Sequence, residues 1–253
     1  MRFLAKAGNA HGLHSPFFYG LYTTIMRRGA LADGGQRYAA IEVERNRLQG
    51  SKATIQIDDY GAGSHLERDK MRRVSAIAQH GMMERDWCQR VAALAQLQNC
   101  KTVVELGTSF GLTTAYLATA LPQCNIHTFE GCGETLGIAK CVWERLGLKP
   151  TEHLGKIEET LPEYLLAKPR IDLAVIDANH TKEGVLAYYA LLQPYLHSES
   201  VLVIDDIYWS GSMATGWAEL KNMPEVRQSV DMYWQGWLFM KAGQAKEHFV
   251  LRP

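Results

Sequence analysis

The stretch Val103–Gly111, V-V-E-L-G-T-S-F-G, restricts the fold of this chain more than any other. Val103 and Val104 are β-branched and apolar, the residue type of a strand buried on both faces of a parallel sheet. Glu105 closes the strand, Gly107 and Gly111 sit in the turn, and Leu112–Leu121 (LTTAYLATAL) is apolar and helix-compatible. Strand, glycine turn and helix in this order make the first unit of an α/β nucleotide-binding domain. Glycine is needed in such a turn because a ligand must lie against bare backbone where the chain crosses the sheet edge. A dinucleotide site shows G-x-G-x-x-G, with amides facing a pyrophosphate. Here the order is E-x-G-x-x-x-G. An acid two residues ahead of the first glycine is a poor neighbour for phosphate and a good one for an amine or a sulfonium.

From residue 101 onward strands and helices alternate. Strands are expected at 101–106, 125–130, 151–154, 171–177 and 200–205, with helices at 112–121, 134–146, 158–166, 182–196 and 213–221. Pro194 is expected to kink or end the fourth of these helices. Two apolar strands, 226–232 and 236–241, close the pattern as an antiparallel hairpin at one edge. The expected fold is α/β: a Rossmann-like, mostly parallel, seven-stranded sheet with helices on both faces. Residues 1–100 form an N-terminal helical extension, a lid or a dimer element, and residues 101–253 the main domain.

Within the extension, His11–Tyr19 packs two histidines and three aromatics into nine positions, either as core or as a cover over a ligand. Ile41–Leu48 reads as a helix, Ile55–Asp58 as a short extended piece and Glu67–Arg73 as a charged, solvated stretch. Asp59–Ser64 contains two close glycines, a tight turn or a lid hinge. Asp86–Gln98 is an amphipathic helix with Val91, Leu94 and Leu97 on one face.

Composition removes several classes. The 27 Lys+Arg balance 27 Asp+Glu, so no overall field grips nucleic acid. The five cysteines are scattered without a C-x-x-C pair, which excludes a zinc cluster or a disulfide framework. No apolar run is long enough for a membrane span, and the N-terminus lacks the core of a signal peptide, so a cytoplasmic protein is expected.

In a sheet of this kind ligands sit beyond the carboxyl ends of the strands. Four expected strands end there in acids: Glu105, Glu130, Asp177 and the pair Asp205-Asp206. Glu130 follows the glycine turn by about 20 residues, the distance at which a carboxylate accepts from both ribose hydroxyls of an adenosine ligand. Gly131 lets the backbone run close to that sugar. Asp177-Ala178-Asn179-His180 closes the fourth strand and Asp205-Asp206-Ile207-Tyr208-Trp209-Ser210 the fifth. Tyr208 and Trp209 either wall an acceptor pocket or pack under the following helix.

The glycine turn resembles motif I of the class I S-adenosylmethionine (SAM) methyltransferases, and the two acid-ended strands resemble the catechol O-methyltransferase-like branch and its I-D-G-D-H relatives. The resemblance covers about residues 101–241. It implies that Glu105, Gly107, Ser109 and Gly111 line the methionine and ribose of SAM, that Glu130 holds the ribose, and that Gly155, Lys156 and Ile157 border the adenine. Asp177 lies at the cofactor and also matches the branch's metal-ligand triad together with Asp205 and Asp206, which implies Mg²⁺. The branch reads Asp-Asn where this chain has Asp205-Asp206, and commonly Lys where it has His180. The catalytic candidates are His180, whose residue type suits proton removal near neutrality, and Asp177. The implied activity is O-methylation of a small hydroxylated molecule. An NAD(P) oxidoreductase lacks support without G-x-G-x-x-G, a nucleic-acid methyltransferase lacks its N-P-P-Y or D-P-P-Y tetrad, and a non-catalytic SAM-fold binding protein stays open.

Overall fold

A computed structural model describes residues 7–8, 13–27, 36–58 and 70–253. The two-glycine segment 59–64 and His11 lie outside the described residues. The chain opens with helix α1 (Pro16–Leu21), a π-helical continuation (Tyr22–Met26), α2 (Ala39–Gln49), strands β1 (Thr54–Gln56) and β2 (Met71–Arg73), then α3 (Val74–His80) and α4 (Arg85–Leu97). The alternation follows: β3 (Thr102–Leu106), α5 (Leu112–Ala120), β4 (Asn125–Glu130), α6 (Gly133–Leu146), β5 (Thr151–Leu154), α7 (Ile157–Leu165), β6 (Ile171–Ile176), α8 (Lys182–Leu192), β7 (Leu196–Asp205) and α9 (Gly211–Asn222). Strands β8 (Gln228–Asp231), β9 (Gln235–Phe239) and β10 (Glu247–Val250) finish the chain.

The main sheet has eight strands in the order β10-β8-β9-β7-β6-β3-β4-β5. Strands β3 to β7 are mutually parallel, and β9 runs antiparallel to both β7 and β8, the expected antiparallel hairpin, which lies one strand in from the edge because β10 pairs outside β8. The eighth strand, β10, pairs parallel with β8 and was not legible because Glu247–Val250 is a half-exposed edge with no apolar run. Pro194 falls in a single 3₁₀ turn (Gln193–Tyr195) that ends α8 at Leu192. The expected extended piece at 55–58 becomes β1, whose Ile55 pairs with Arg72 of β2.

Both faces of the sheet are covered because alternate residues of each strand enter different cores. Val103, Leu173, Val175, Val201 and Val203 pack with α4, α5, α6 and the N-terminal helices. Val104, Leu106, Ala174, Ile176, Leu202 and Ile204 pack with α7, α8 and α9. The described N-terminal core residues, from Leu13 to Ala95, all join the first of these clusters. From β3 the chain steps outward to β4 and β5, then returns to lay β6 and β7 on the other side of β3. The carboxyl ends at that reversal diverge and leave a crevice.

The β4–β5 edge carries a titratable pair. His127 Nδ1 and His153 Nε2 lie 3.1 Å apart, and the His153 ring stacks on Phe129 at 4.3 Å. Burial lowers both imidazoles from the ordinary 6.5; His153 lowers His127 further, while Glu152 and Glu163 oppose the effect on His153. Depressed histidines leave the unfolded chain with more bound protons, so their contribution is intact above about 6.5 and declines as pH falls toward the folded values. Thermal unfolding across this range should therefore show a steeper acid-side loss for the native chain than for His153→Phe, which keeps the ring stack. Equal slopes would remove the pair from the account.

Candidate functional site

The glycine turn is built by close approach before any ligand is considered. Gly107 has φ +97°, and a Cβ there would lie 2.1 Å from the Asp177 carbonyl oxygen, because β3 and β6 emerge side by side. Gly111 (φ +73°) caps α5, and its carbonyl accepts from Trp143 Nε1 at 2.8 Å. A Cβ there would press into the Trp143 ring. Gly111 thus serves helix packing, and it lines neither of the cavities described below.

Glu105 departs from its expected place. It is 1% exposed, and its Oε2 accepts from the hydroxyls of Thr114 on α5 and of Thr128 on β4, the latter at 2.6 Å. Burial pushes its carboxyl up to about 7 against the lowering effect of these bonds. Glu105 shares strand parity with Val103, so it points into the face covered by α5 and lies beneath the site as a tie between elements.

Glu130 does reach the crevice. Its Oε2 accepts from the Ser109 amide and its Oε1 from the Cys132 amide, both at 2.9 Å. One backbone bond comes from the glycine turn and the other from the start of α6, so the carboxylate is oriented from both sides. Burial raises its pKa, and amides of Cys132, Ser109, Gly131 and Thr108 counter the shift. With Gly107, Ser109, Lys156, Ile157 and Asp177 it lines a cavity of about 320 Å³. Gly155 (φ +136°) lies just outside that wall and donates its amide to the Glu130 carbonyl at 2.9 Å. The size and the fixed, doubly held carboxylate suit a nucleoside, so these residues fit SAM.

A second cavity, about 480 Å³, adjoins the first. Its walls include Met82, Met83, Trp87, Trp209 and Trp234, with Asp205 and Asp206 at one side. Five residues line both cavities: Arg72, Ile77, Gly81, Asp177 and His180. His180 Nε2 stands 3.7 Å from Asp177 Oδ1, and its buried Nδ1 has no hydrogen-bond partner among the described residues. Asp177 and His180 therefore sit where the contents of the two cavities would meet.

The carboxylates repel one another at this junction. Burial, then Asp206, Glu105 and Glu130, push Asp177 up to about 8. Burial, then Asp177 and Asp206, raise Asp205 well above the carboxylate range. Asp206, at φ +52° in the turn after β7, is raised by burial and eased by His180. Such a site favours an incoming positive charge. It does not, however, form the expected Mg²⁺ triad. Among the described residues no group of three His, Cys, Asp or Glu side chains is arranged to hold a metal ion. Asp205 pairs across the sheet with Gln235, which lowers its pKa against burial and the neighbouring carboxylates and donates its own Nε2 to Met83 Sδ at 3.3 Å.

Arg72, Ile77, Gly81, Met82, Met83, Trp87 and Trp234 were not identified in the sequence. Most of them come from the segment before β3, where no chemical motif marks them, and only the fold carries them to the sheet edge. Trp209 lines the second cavity as one of its two sequence readings had it, whereas Tyr208 turns away to bond Asp231.

Comparison with known proteins agrees with this geometry. Residues 104–207 match a family described as a methyltransferase domain. Catechol O-methyltransferase domain-containing protein 1 of Mus musculus is 31% identical over 137 residues, covering 52% of this chain and 52% of the relative, so the chain spans about half the length of the curated relative it matches. A Podospora anserina methyltransferase bound to S-adenosylhomocysteine (SAH) shares the fold with TM-score 0.61 at 14% identity, over 84% of this chain and 96% of that one. The Bacillus cereus O-methyltransferase in complex with SAH does so with TM-score 0.54 at 19% identity, over 64% and 84%. No helix among the described residues is long and apolar enough to cross a membrane. Residues 104–207 of this chain thus match a methyltransferase domain, and the chain shares its fold with methyltransferases crystallised with SAH.

Proposed function

We propose that this protein transfers the methyl group of SAM to a hydroxyl of a small molecule. The observation that carries the reading is the shared wall: Asp177 and His180 face both the cavity holding Glu130 and the cavity walled by tryptophans. When bound, SAM supplies an electrophilic methyl on a cationic sulfur. What remains for the protein is alignment and removal of one proton.

Glu130 would accept from the ribose hydroxyls, Lys156 and Ile157 would border the adenine, and Gly107 and Ser109 would leave room for the methionine portion. A cationic sulfur at the junction would favour ionisation of Asp177 and Asp206, whose charge is otherwise opposed by burial and by their neighbouring carboxylates, so the two acids suit a sulfonium. His180 would take the hydroxyl proton, and Asp177, 3.7 Å away, would stabilise the imidazolium that forms. On this reading the proton transfer uses His180 and Asp177 alone; among the described residues no three acids or imidazoles are grouped to hold a metal ion, which supports it. Residues 72–87 form one wall of the larger cavity, which supports reading the N-terminal extension as a cover over the acceptor.

The test is SAH formation from SAM with phenolic, sugar and hydroxy-acid acceptors, each with EDTA or with Mg²⁺. One acceptor class should support turnover, and EDTA should leave the rate within about twofold. Activity lost to the chelator and restored by Mg²⁺ would overturn the metal-free assignment of the aspartates. Absence of both SAH binding and turnover would remove the proposal itself.

A further inference from the structure

One buried carboxylate has no part in the chemistry above. Asp231, the last residue of β8, is 2% exposed. Three donors from three pieces of chain converge on it: the Tyr208 hydroxyl on Oδ2 at 2.5 Å, Trp217 Nε1 on Oδ2 at 3.2 Å, and the Tyr233 amide on Oδ1 at 3.1 Å. Tyr208 belongs to the turn after β7, which also carries Asp206 and Trp209. Tyr233 belongs to the β8–β9 turn, which also carries Trp234. Trp209 and Trp234 are 42% and 52% exposed, and both line the larger cavity.

The surrounding packing is built to bring these donors in. Gly236 is the strand partner of Asp231, and a Cβ there would lie 2.6 Å from the Trp217 ring. The bare glycine lets the indole of α9 slide under the hairpin and reach the carboxylate. The two turns also touch directly: the Ile207 amide donates to the Trp234 carbonyl at 3.4 Å, and the Tyr208 and Tyr233 rings lie 5.4 Å apart. Each turn holds a non-glycine residue in the left-handed region, Asp206 at φ +52° and Tyr233 at φ +73°. Such conformations persist only where the surroundings over-determine them.

We propose that Asp231 is the positioning residue of the acceptor cavity: it ties the turn 206–210 to the turn 232–235 and thereby sets where Trp209 and Trp234 stand. This rests on the reading that the larger cavity takes the acceptor. An aspartate can accept all three bonds, whereas asparagine presents an amide donor to at least one donor, so Asp231→Asn breaks the tie at almost constant volume. Tyr208→Phe removes one donor and leaves the carboxylate with two.

Hydrogen-exchange mass spectrometry on the full chain tests the tie without any acceptor. In Asp231→Asn the peptides covering 206–210 and 232–235 should both exchange about tenfold faster, while the peptide covering 129–133 is unchanged and SAH affinity stays within about twofold. Tyr208→Phe should move the same two peptides less, and it keeps the test open if the first variant fails to fold. With catechol as probe acceptor, both variants should raise KM about tenfold more than they lower kcat. Faster exchange confined to 232–235, or spread evenly over the chain, would overturn the proposal. Because exchange needs no acceptor, a native chain inactive on catechol counts against the acceptor reading and not against the tie.

Discussion

Glu130→Ala will weaken SAH binding by on the order of 100-fold, about 3 kcal/mol. Both oxygens of this carboxylate are already aimed by backbone amides, those of Ser109 and Cys132 at 2.9 Å, so a ribose meets a fixed acceptor that loses no rotamer freedom on binding. A hydrogen bond to an ionised group contributes roughly 1.5–3 kcal/mol, and two ribose hydroxyls can use the remaining lone pairs. Water entering the vacated space would recover part of that sum, which is why the expected loss stands at its lower end. The same substitution leaves the Ser109 and Cys132 amides without their partner and loosens the glycine turn. Glu130→Gln keeps the shape and one acceptor oxygen and should fall between the two. Calorimetry with SAH decides the matter: equal affinity in native and alanine proteins would falsify the ribose assignment.

The second large effect concerns stability. Gly107→Ala is expected to cost about 4 kcal/mol or more, lowering Tm by roughly 10 °C. The added Cβ would lie 2.1 Å from the Asp177 carbonyl oxygen and 2.7 Å from its carbon, both backbone atoms of the neighbouring strand end. No side-chain rotation relieves that contact, and φ +97° is itself unfavourable for an L-residue. Relief requires β3 and β6 to separate at their carboxyl ends, where Asp177 enters the junction of the two cavities. SAH binding should therefore fall with stability in this variant. Gly137→Ala on α6, where an added Cβ meets nothing within 4 Å, supplies the control and should unfold near the native temperature. Circular dichroism melts of the two variants check this, and matching midpoints would show that the turn yields more easily than its contacts imply.

These two residues show what could be read from the chain before its fold. Both lie in the alternation that two-sided burial imposes on strands such as Ile171–Ile176, where nearly every residue is apolar because each face meets a different core. The strand ends and the acids on them followed from that pattern. Composition marks an acid at a strand end without stating which face it takes, so the sequence alone does not separate Glu105 from Glu130. The parity of Glu105 with Val103 sends it toward Thr114, while Glu130, at the end of β4, reaches the crevice. The sequence places Gly107 and Gly111 where a ligand needs room, and the structure adds that each first makes room for protein, Asp177 in one case and Trp143 in the other.

The amino-acid sequence by itself determined the alternation of strands and helices from β3 to β9 and the acids that end several of those strands, because those features are written in local periodicity and in the residues that close each strand. Only the tertiary structure decided which acids face the cavities, that Asp205 pairs across the sheet with Gln235, and that Arg72, Met83 and Trp87 wall the larger cavity. Those outcomes depend on contacts between residues far apart in the chain, and no local pattern encodes the direction from which a distant side chain will arrive.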